Sequence, residues 1–205
     1  MSKVTCDMTM SVDGFAAGPN QTADKPFGDG NVDALHRWMF EQPDQNAAEL
    51  EAITSAKAYV MGRNMFGPIR GDWGDDSWTG WWGDDPPYHA PVFVLTHHPR
   101  EQVPMQGGTT FTFVTDGIEA ALARAREAAG DGDVAIAGGA QTVNAQTVNQ
   151  YLAAGLVDEL RLHLAPVVLG RGERLLDGAG ALALEPIGEV SGTDLVTHLH
   201  YRVVR

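Results

Sequence analysis

Three short stretches carry residue types suited to holding a phosphate. Gly138-Gly139 stands between the apolar run Val134-Ala135-Ile136-Ala137 and a helical pattern. Two residues without Cβ let a flat or charged ligand approach the backbone, and a helix opening there presents free N–H groups. Gly62-Arg63-Asn64 and His97-His98-Pro99-Arg100 gather cations in a chain whose formal net charge is −13. A phosphorylated ligand on so acidic a protein needs local clusters of this kind. A Gly-Gly pair alone also suits a plain tight connection, so the surrounding order has to decide.

Two further places could act on a substrate. Asp13 follows an apolar-alternating run and precedes Gly14. Ligands in open α/β sheets sit beyond the carboxyl ends of strands, so Asp13 is the candidate proton donor or substrate anchor; the alternative is a simple Asp-Gly turn. Residues 71–90 hold Trp73, Trp78, Trp81 and Trp82 among glycines and aspartates. That much aromatic area seeks cover. The segment is either a lid or stacking wall over a planar substrate, with Trp82 as a contact, or a loop docked on its own domain or a second subunit. Its aspartates do not follow a calcium-loop pattern. His198 and His200 share a strand face, but no third ligand motif accompanies them, so no metal is expected.

The elements that must position these residues follow from periodicity. Strands are expected at Val4–Met10, Ala58–Met61, Pro91–Thr96, Thr110–Val114, Val134–Ala137 and Val157–Ala165. Helices are expected at Val32–Phe40 (capped by Asn31), after Pro43-Asp44 with Ala47, Leu50 and Ile53 on one face, and from Asp116 to Gly130. Another is expected from about Gln141 to Ala154, with a single turn at Met65–Ile69. Asp116 with Glu119 resembles a capping box. Two terminal strands, Leu182–Val190 and Leu195–Val204, read as a hairpin joined at Ser191-Gly192. Strands separated by helices, then a hairpin, imply an α/β fold with a mostly parallel sheet and an antiparallel edge.

Composition bounds the class. Met1 to Arg205 reads as one domain, ordinary in being 43% hydrophobic and 20% charged. No apolar run approaches the roughly 20 residues of a membrane span. The acidity argues against nucleic-acid and anionic-membrane partners. One cysteine, Cys6, cannot form an internal disulfide, and MSKVTCDMTM lacks a signal's apolar core; a reducing cytoplasm is expected.

The order SVDGFAAG, YVMGRNMF, PVFVLTHH, IAGGAQTV and GLVDELRLHLAPVVLGRGERLLDG resembles the dihydrofolate reductase-like superfamily. More closely, it resembles stand-alone relatives of the reductase domain of the bifunctional riboflavin-biosynthesis deaminase-reductase. The resemblance implies a three-layer sandwich with an eight-stranded sheet, NADPH as cofactor, and a homodimer. It places Met10, Ala17 and Gly18 along the nicotinamide. Gly62, Arg63 and Asn64, with Thr96 and His97, face the adenosine 2′-phosphate. Gly138, Gly139, Ala140 and Gln141 hold the pyrophosphate, and Trp38 marks the substrate side of the first helix. Three positions depart from the family pattern. Met65 stands where a threonine often follows Gly-Arg-x, Leu35 where folate reductases carry an acid, and Ile136-Ala137 where riboflavin-pathway reductases carry a glutamate.

The expected activity is hydride transfer from NADPH to a C=N or C=C bond of a small planar, pterin- or pyrimidine-like substrate. The alternative is a cofactor-binding module of the same fold without productive chemistry. The unit Ala140-Gln141-Thr142-Val143-Asn144 recurs at once as Ala145-Gln146-Thr147-Val148-Asn149. The duplication either lengthens the helix by about one and a half turns or loops out beside Gly138-Gly139.

Overall fold

The computed structural model describes residues 2–22, 24–68, 71–74, 77–137 and 142–204, the side chains of 142–146 excepted. Strand β1 (Val4–Ser11) and the short β2 (Phe15–Ala17) open the chain. A 3-10 turn at Val32–Leu35, helix α1 (Arg37–Glu41), a second 3-10 turn at Pro43–Asn46 and helix α2 (Ala47–Thr54) follow. Then come β3 (Ala58–Gly62), α3 (Arg63–Phe66), β4 (Pro91–Leu95), β5 (Val103–Pro104), β6 (Thr110–Val114) and α4 (Ile118–Ala129). The chain continues through β7 (Val134–Ala137), α5 (Thr142–Ala153) and β8 (Glu159–Ala165). It closes with β9 (Glu173–Arg174), β10 (Ala183–Pro186), β11 (Ser191–Gly192) and β12 (Thr197–Val204).

The main sheet has ten strands in the order β10-β12-β8-β1-β7-β3-β4-β6-β5, with β11 on β12. From β8 to β6 all pairs are parallel, and β12 and β10 add the antiparallel edge. The expected eight strands are those of four or more residues; β5 and β11 are two-residue additions at the edges. The hairpin therefore turns at residues 193–196, because Ser191 and Gly192 already pair with His198 and Thr197. A separate two-stranded sheet, β2 with β9, was not expected. It forms because Phe15–Ala17 lies against the loop after β8.

Side-chain alternation divides the sheet into two faces. Val4, Cys6, Val60, Val134, Ile136, Leu160 and Leu162 point toward α4 and α5, where Ala121, Leu122, Ala125, Val148, Tyr151 and Leu152 are buried against them. The Tyr151 hydroxyl donates to the Ile118 carbonyl at 2.7 Å, tying the two helices together. Tyr59, Met61, Val92, Val94, Phe111 and Phe113 point the other way and are covered by the tryptophan segment. Trp73 meets Phe113 edge-on at 5.0 Å, and Trp82 stacks 5.9 Å from Phe111. Trp78 donates its indole N–H to the Phe66 carbonyl at 2.9 Å. A Cβ on Gly67 would lie 2.2 Å from that Trp78 nitrogen, so glycine is required there. Of the expected alternatives, the segment takes the docked one.

Several local expectations are corrected. The helix expected over Val32–Phe40 is broken at His36, and Asn31 makes no side-chain cap bond. Helix α2 buries no residue fully, Leu50 and Ile53 being half-buried. The single turn begins at Arg63 rather than Met65. Asp116 pairs with Arg124 at 2.8 Å instead of capping α4, whose N-cap is Gly117. Helix α5 starts at Thr142 and carries the backbone of both repeat copies from there, so the duplication is largely absorbed into helix. Gly138, Gly139, Ala140 and Gln141 lie outside the described residues.

Candidate active site

The parallel strands β3, β4 and β6 end side by side, and the loops leaving them enclose a cavity of about 320 Å³. Gly62, Arg63 and Asn64 line it from the end of β3; Thr96, His97 and His98 line it from the end of β4. Thr115, Gly117 and Ile118 come from the turn into α4, and Thr147 and Gln150 from α5. Among the described residues, no aspartate or glutamate lines the cavity of this very acidic protein. Five of the residues expected to hold the cofactor thus converge: Gly62, Arg63, Asn64, Thr96 and His97. Thr147 and Gln150 were not anticipated. They belong to the second repeat copy and the residue after it, and only the register of α5 brings them here.

Packing fixes the cationic wall. Arg63 is 8% exposed, its guanidinium lies 3.8 Å over the Trp73 ring, and one of its N–H groups donates to the Gly71 carbonyl. Trp73 in turn donates to the His98 carbonyl at 2.8 Å, and His98 pairs with Asp72 at 2.8 Å. The tryptophan segment therefore buttresses Arg63. Arg100 is turned away from the cavity and lies over Trp73, Phe113 and Phe66 at 5.0–5.6 Å.

Asp13 is held differently from a proton donor. Its carboxylate accepts from the Ser11 hydroxyl at 2.6 Å and from the backbone N–H groups of Leu169 and Gly170 at 3.0 and 2.7 Å. The Ser11 bond foremost, then the two backbone bonds, pull its pKa from 3.8 down to about 2. The ionised group clasps the loop after β8 to the end of β1, which disfavours a general acid. A carboxylate whose folded pKa is depressed contributes stability above its unfolded pKa and loses it as pH falls through the folded value. The stability difference between the parent and Asp13→Asn is therefore expected to stay constant from about pH 5 to 9 and to shrink below about pH 4. Denaturation curves across that range check it; a difference that grows in acid would contradict the clasp.

The other expected site residues are placed as follows. Met10 is half-buried at the end of β1. Ala17 is fully buried, and the Gly18 N–H is spent on the Phe27 carbonyl at 2.9 Å. A Cβ on Gly18 would lie 2.1 Å from the Asp29 carbonyl, so packing of the loop at 27–29 explains that glycine. Trp82 is half-buried against Tyr88 and Phe111 and is not in the cavity lining. Trp38 is corrected from a substrate contact to a core residue: it has no exposed surface and packs against His163 and His198 at 4.9 and 5.0 Å.

On the same sheet face, strands β12, β8 and β1 carry a block of polar side chains that sequence reasoning passed over. Register sets His200, Arg161, Asp7, Ala137 and Met61 in one row across five strands. His198, His163 and Thr9 form the next row. Arg161 reaches Asp7 at 3.2 Å. Glu159 holds Lys3 at 2.6 Å and His200 at 3.0 Å. Burial would raise the Glu159 pKa, but those two partners outweigh it and the net shift is downward. The signal was available: Glu159, Arg161 and His163 alternate in a strand whose intervening residues are apolar, and Thr5, Asp7 and Thr9 do the same in β1.

Fold and comparisons agree on the class. The order of strands and the helices on the α4–α5 face define a dihydrofolate reductase-like α/β fold. The chain belongs to the RibD C-terminal domain family, whose model matches residues 2–197. No curated protein sequence matches it. Among solved structures, a candidate riboflavin biosynthesis protein from Shewanella sp. PV-4 is similar at 21% identity and a TM-score of 0.64, over 99% of each chain. The diaminohydroxyphosphoribosylaminopyrimidine deaminase/5-amino-6-(5-phosphoribosylamino)uracil reductase of Thermotoga maritima shares 13% identity. Its TM-score is 0.60, over 99% of this chain and 57% of that one. Dihydrofolate reductase of Enterococcus faecalis, complexed with NADP(H), gives 14% identity and a TM-score of 0.56 over 98% and 96%.

Proposed function

We propose that this protein is an NADPH-dependent reductase of the dihydrofolate reductase-like class, acting on a small planar, pterin- or pyrimidine-like substrate. One observation carries the reading: a cavity at the carboxyl ends of parallel strands, walled by Arg63, His97 and His98 and lined by no carboxylate among the described residues, in a chain of net charge −13. The residues suit the cofactor. Arg63, Asn64, Thr96 and His97 would hold the 2′-phosphate through charge-assisted and neutral hydrogen bonds. Residues 138–141, outside the described set, keep their proposed role on the pyrophosphate. A bound nicotinamide would supply hydride to a C=N or C=C bond of the substrate. The chain's own task is to hold the phosphate end, exclude water from the sheet face and provide a proton. A homodimer in the cytoplasm belongs to the same proposal. Among the described residues no helix is long and apolar enough to cross a membrane.

The test is NADPH oxidation against a panel of pterins, pyrimidines and quinones. Turnover of one heterocycle class supports the reductase. NADPH binding without turnover on any of them would favour the cofactor-binding module instead.

A further inference from the structure

His163 is 2% exposed, and its Nε2 has no hydrogen-bond partner among the described residues. A buried orphan nitrogen of this kind calls for an explanation, and the hydrogen bonds around it supply one. The Asn46 amide nitrogen has two carbonyl partners, Gln42 at 2.8 Å and Trp38 at 3.3 Å. Its oxygen must then be the atom facing His198 Nε2 at 2.9 Å, and His198 Nε2 must donate. Burial, and then the neighbouring His163, lower the His198 pKa, so His198 is neutral and its Nδ1 is an acceptor. His163 Nδ1 lies 2.7 Å from that acceptor and must carry a hydrogen. The remaining nitrogen, Nε2, points at Asp7 Oδ1 at 3.6 Å. Without a proton there, a nitrogen lone pair would face a carboxylate oxygen at a buried atom that no donor among the described residues reaches.

We propose that His163 Nε2 carries a proton and pairs with the Asp7 carboxylate across 3.6 Å, and that this pair is the acidic group that meets the substrate. The proposal rests on the reductase reading. The Asp7 side chain is 8% exposed, and Asp7 registers with Ala137, which precedes Gly138-Gly139 in the sequence. Arg161, 22% exposed, leaves an opening to solvent beside it. Other charged groups facing the pair or its neighbours are Glu159, Lys3 and His200 from the sheet side and Glu49 from α2. Hydride addition to carbon leaves the adjoining substrate atom basic. The Nε2 proton passes by way of the Asp7 carboxylate to that atom, which leaves Asp7 a carboxylate and His163 neutral with its hydrogen on Nδ1. A proton from solvent, entering past Arg161, restores the pair. This supplies the acid that neither Leu35 nor the clasped Asp13 provides.

The test is long-range 1H–15N spectroscopy on the full chain with 15N-labelled histidine, assigned through backbone connectivities and recorded near neutral pH. The expected result is a proton bonded to both His163 nitrogens in the parent and to Nδ1 alone in Asp7→Asn, where the new amide can donate to Nε2. The parent spectrum needs no variant, so a poorly folded Asp7→Asn does not blunt it. A bare Nε2 in the parent, or an Nε2 proton that persists in Asp7→Asn, overturns the pairing of a protonated His163 with Asp7. With a turned-over substrate in hand, Asp7→Asn is expected to lower kcat roughly 10²–10⁴-fold while NADPH affinity is retained. Unchanged kcat overturns the catalytic role. Failure of every substrate in the parent would count against the reductase reading, and the spectrum would still decide the proton.

Discussion

Replacing Trp38 with alanine is expected to destabilise the protein by about 3–5 kcal/mol, the range for removing a large buried aromatic. In a chain of this size each kcal/mol lowers the unfolding midpoint by roughly 2–4 °C. The magnitude follows from complete burial and from what the ring supports. Trp38 packs on both His163 and His198, and its carbonyl accepts from Asn46. Its loss opens a void beside a polar network that depends on dryness. The indole N–H has no hydrogen-bond partner among the described residues. Trp38→Phe is therefore expected to be far milder, because it keeps most of the ring and removes an unsatisfied donor. Thermal or urea denaturation distinguishes the pair. A loss below about 1 kcal/mol for Trp38→Ala would contradict the core assignment.

Arg63→Ala is expected to weaken NADPH about ten- to a hundredfold, the equivalent of a charge-assisted hydrogen bond at 1.5–3 kcal/mol, and to leave NADH affinity unchanged. The guanidinium lies 3.8 Å over the Trp73 ring and is anchored to Gly71, so its charge is held at the cavity wall at little entropic cost. Arg63→Lys keeps the charge but loses the stacked plane, and should fall between the two. Fluorescence titration with both nucleotides checks this. An equal loss for NADPH and NADH would mean that Arg63 acts only through the loop it braces.

The strands, the parallel sheet with its antiparallel edge, and helices α4 and α5 were legible in the sequence because each buried strand is a short apolar run bounded by glycine, proline or a helix. The cavity-lining residues Gly62, Arg63, Asn64 and His97 were legible as punctuation at strand ends, and Thr96 came with the family resemblance. What was not legible depends on distant partners. Asp13 looked like a free acid, but Leu169 and Gly170 reach it from across the sheet. Trp38 was put on the substrate side by the family resemblance; the break at His36 accompanies the turn of that ring into the core. The polar block on β1, β8 and β12 was hidden in plain alternation. A half-polar strand is ordinarily read as facing solvent, and only the register shows that Asp7, Arg161 and His163 share one partly covered surface. In the tryptophan segment, sequence left open a lid or a docked loop, and the bare side chains of Met61, Val94 and Phe113 explain why docking won.

The most direct test of the cofactor cleft is a calorimetric titration of the parent protein with NADPH and with NADH at fixed salt. The account predicts that NADPH binds at least about tenfold more tightly, as one additional charge-assisted phosphate contact requires, and that rising ionic strength narrows the gap. Equal affinity for the two nucleotides, or no binding of either, would contradict it.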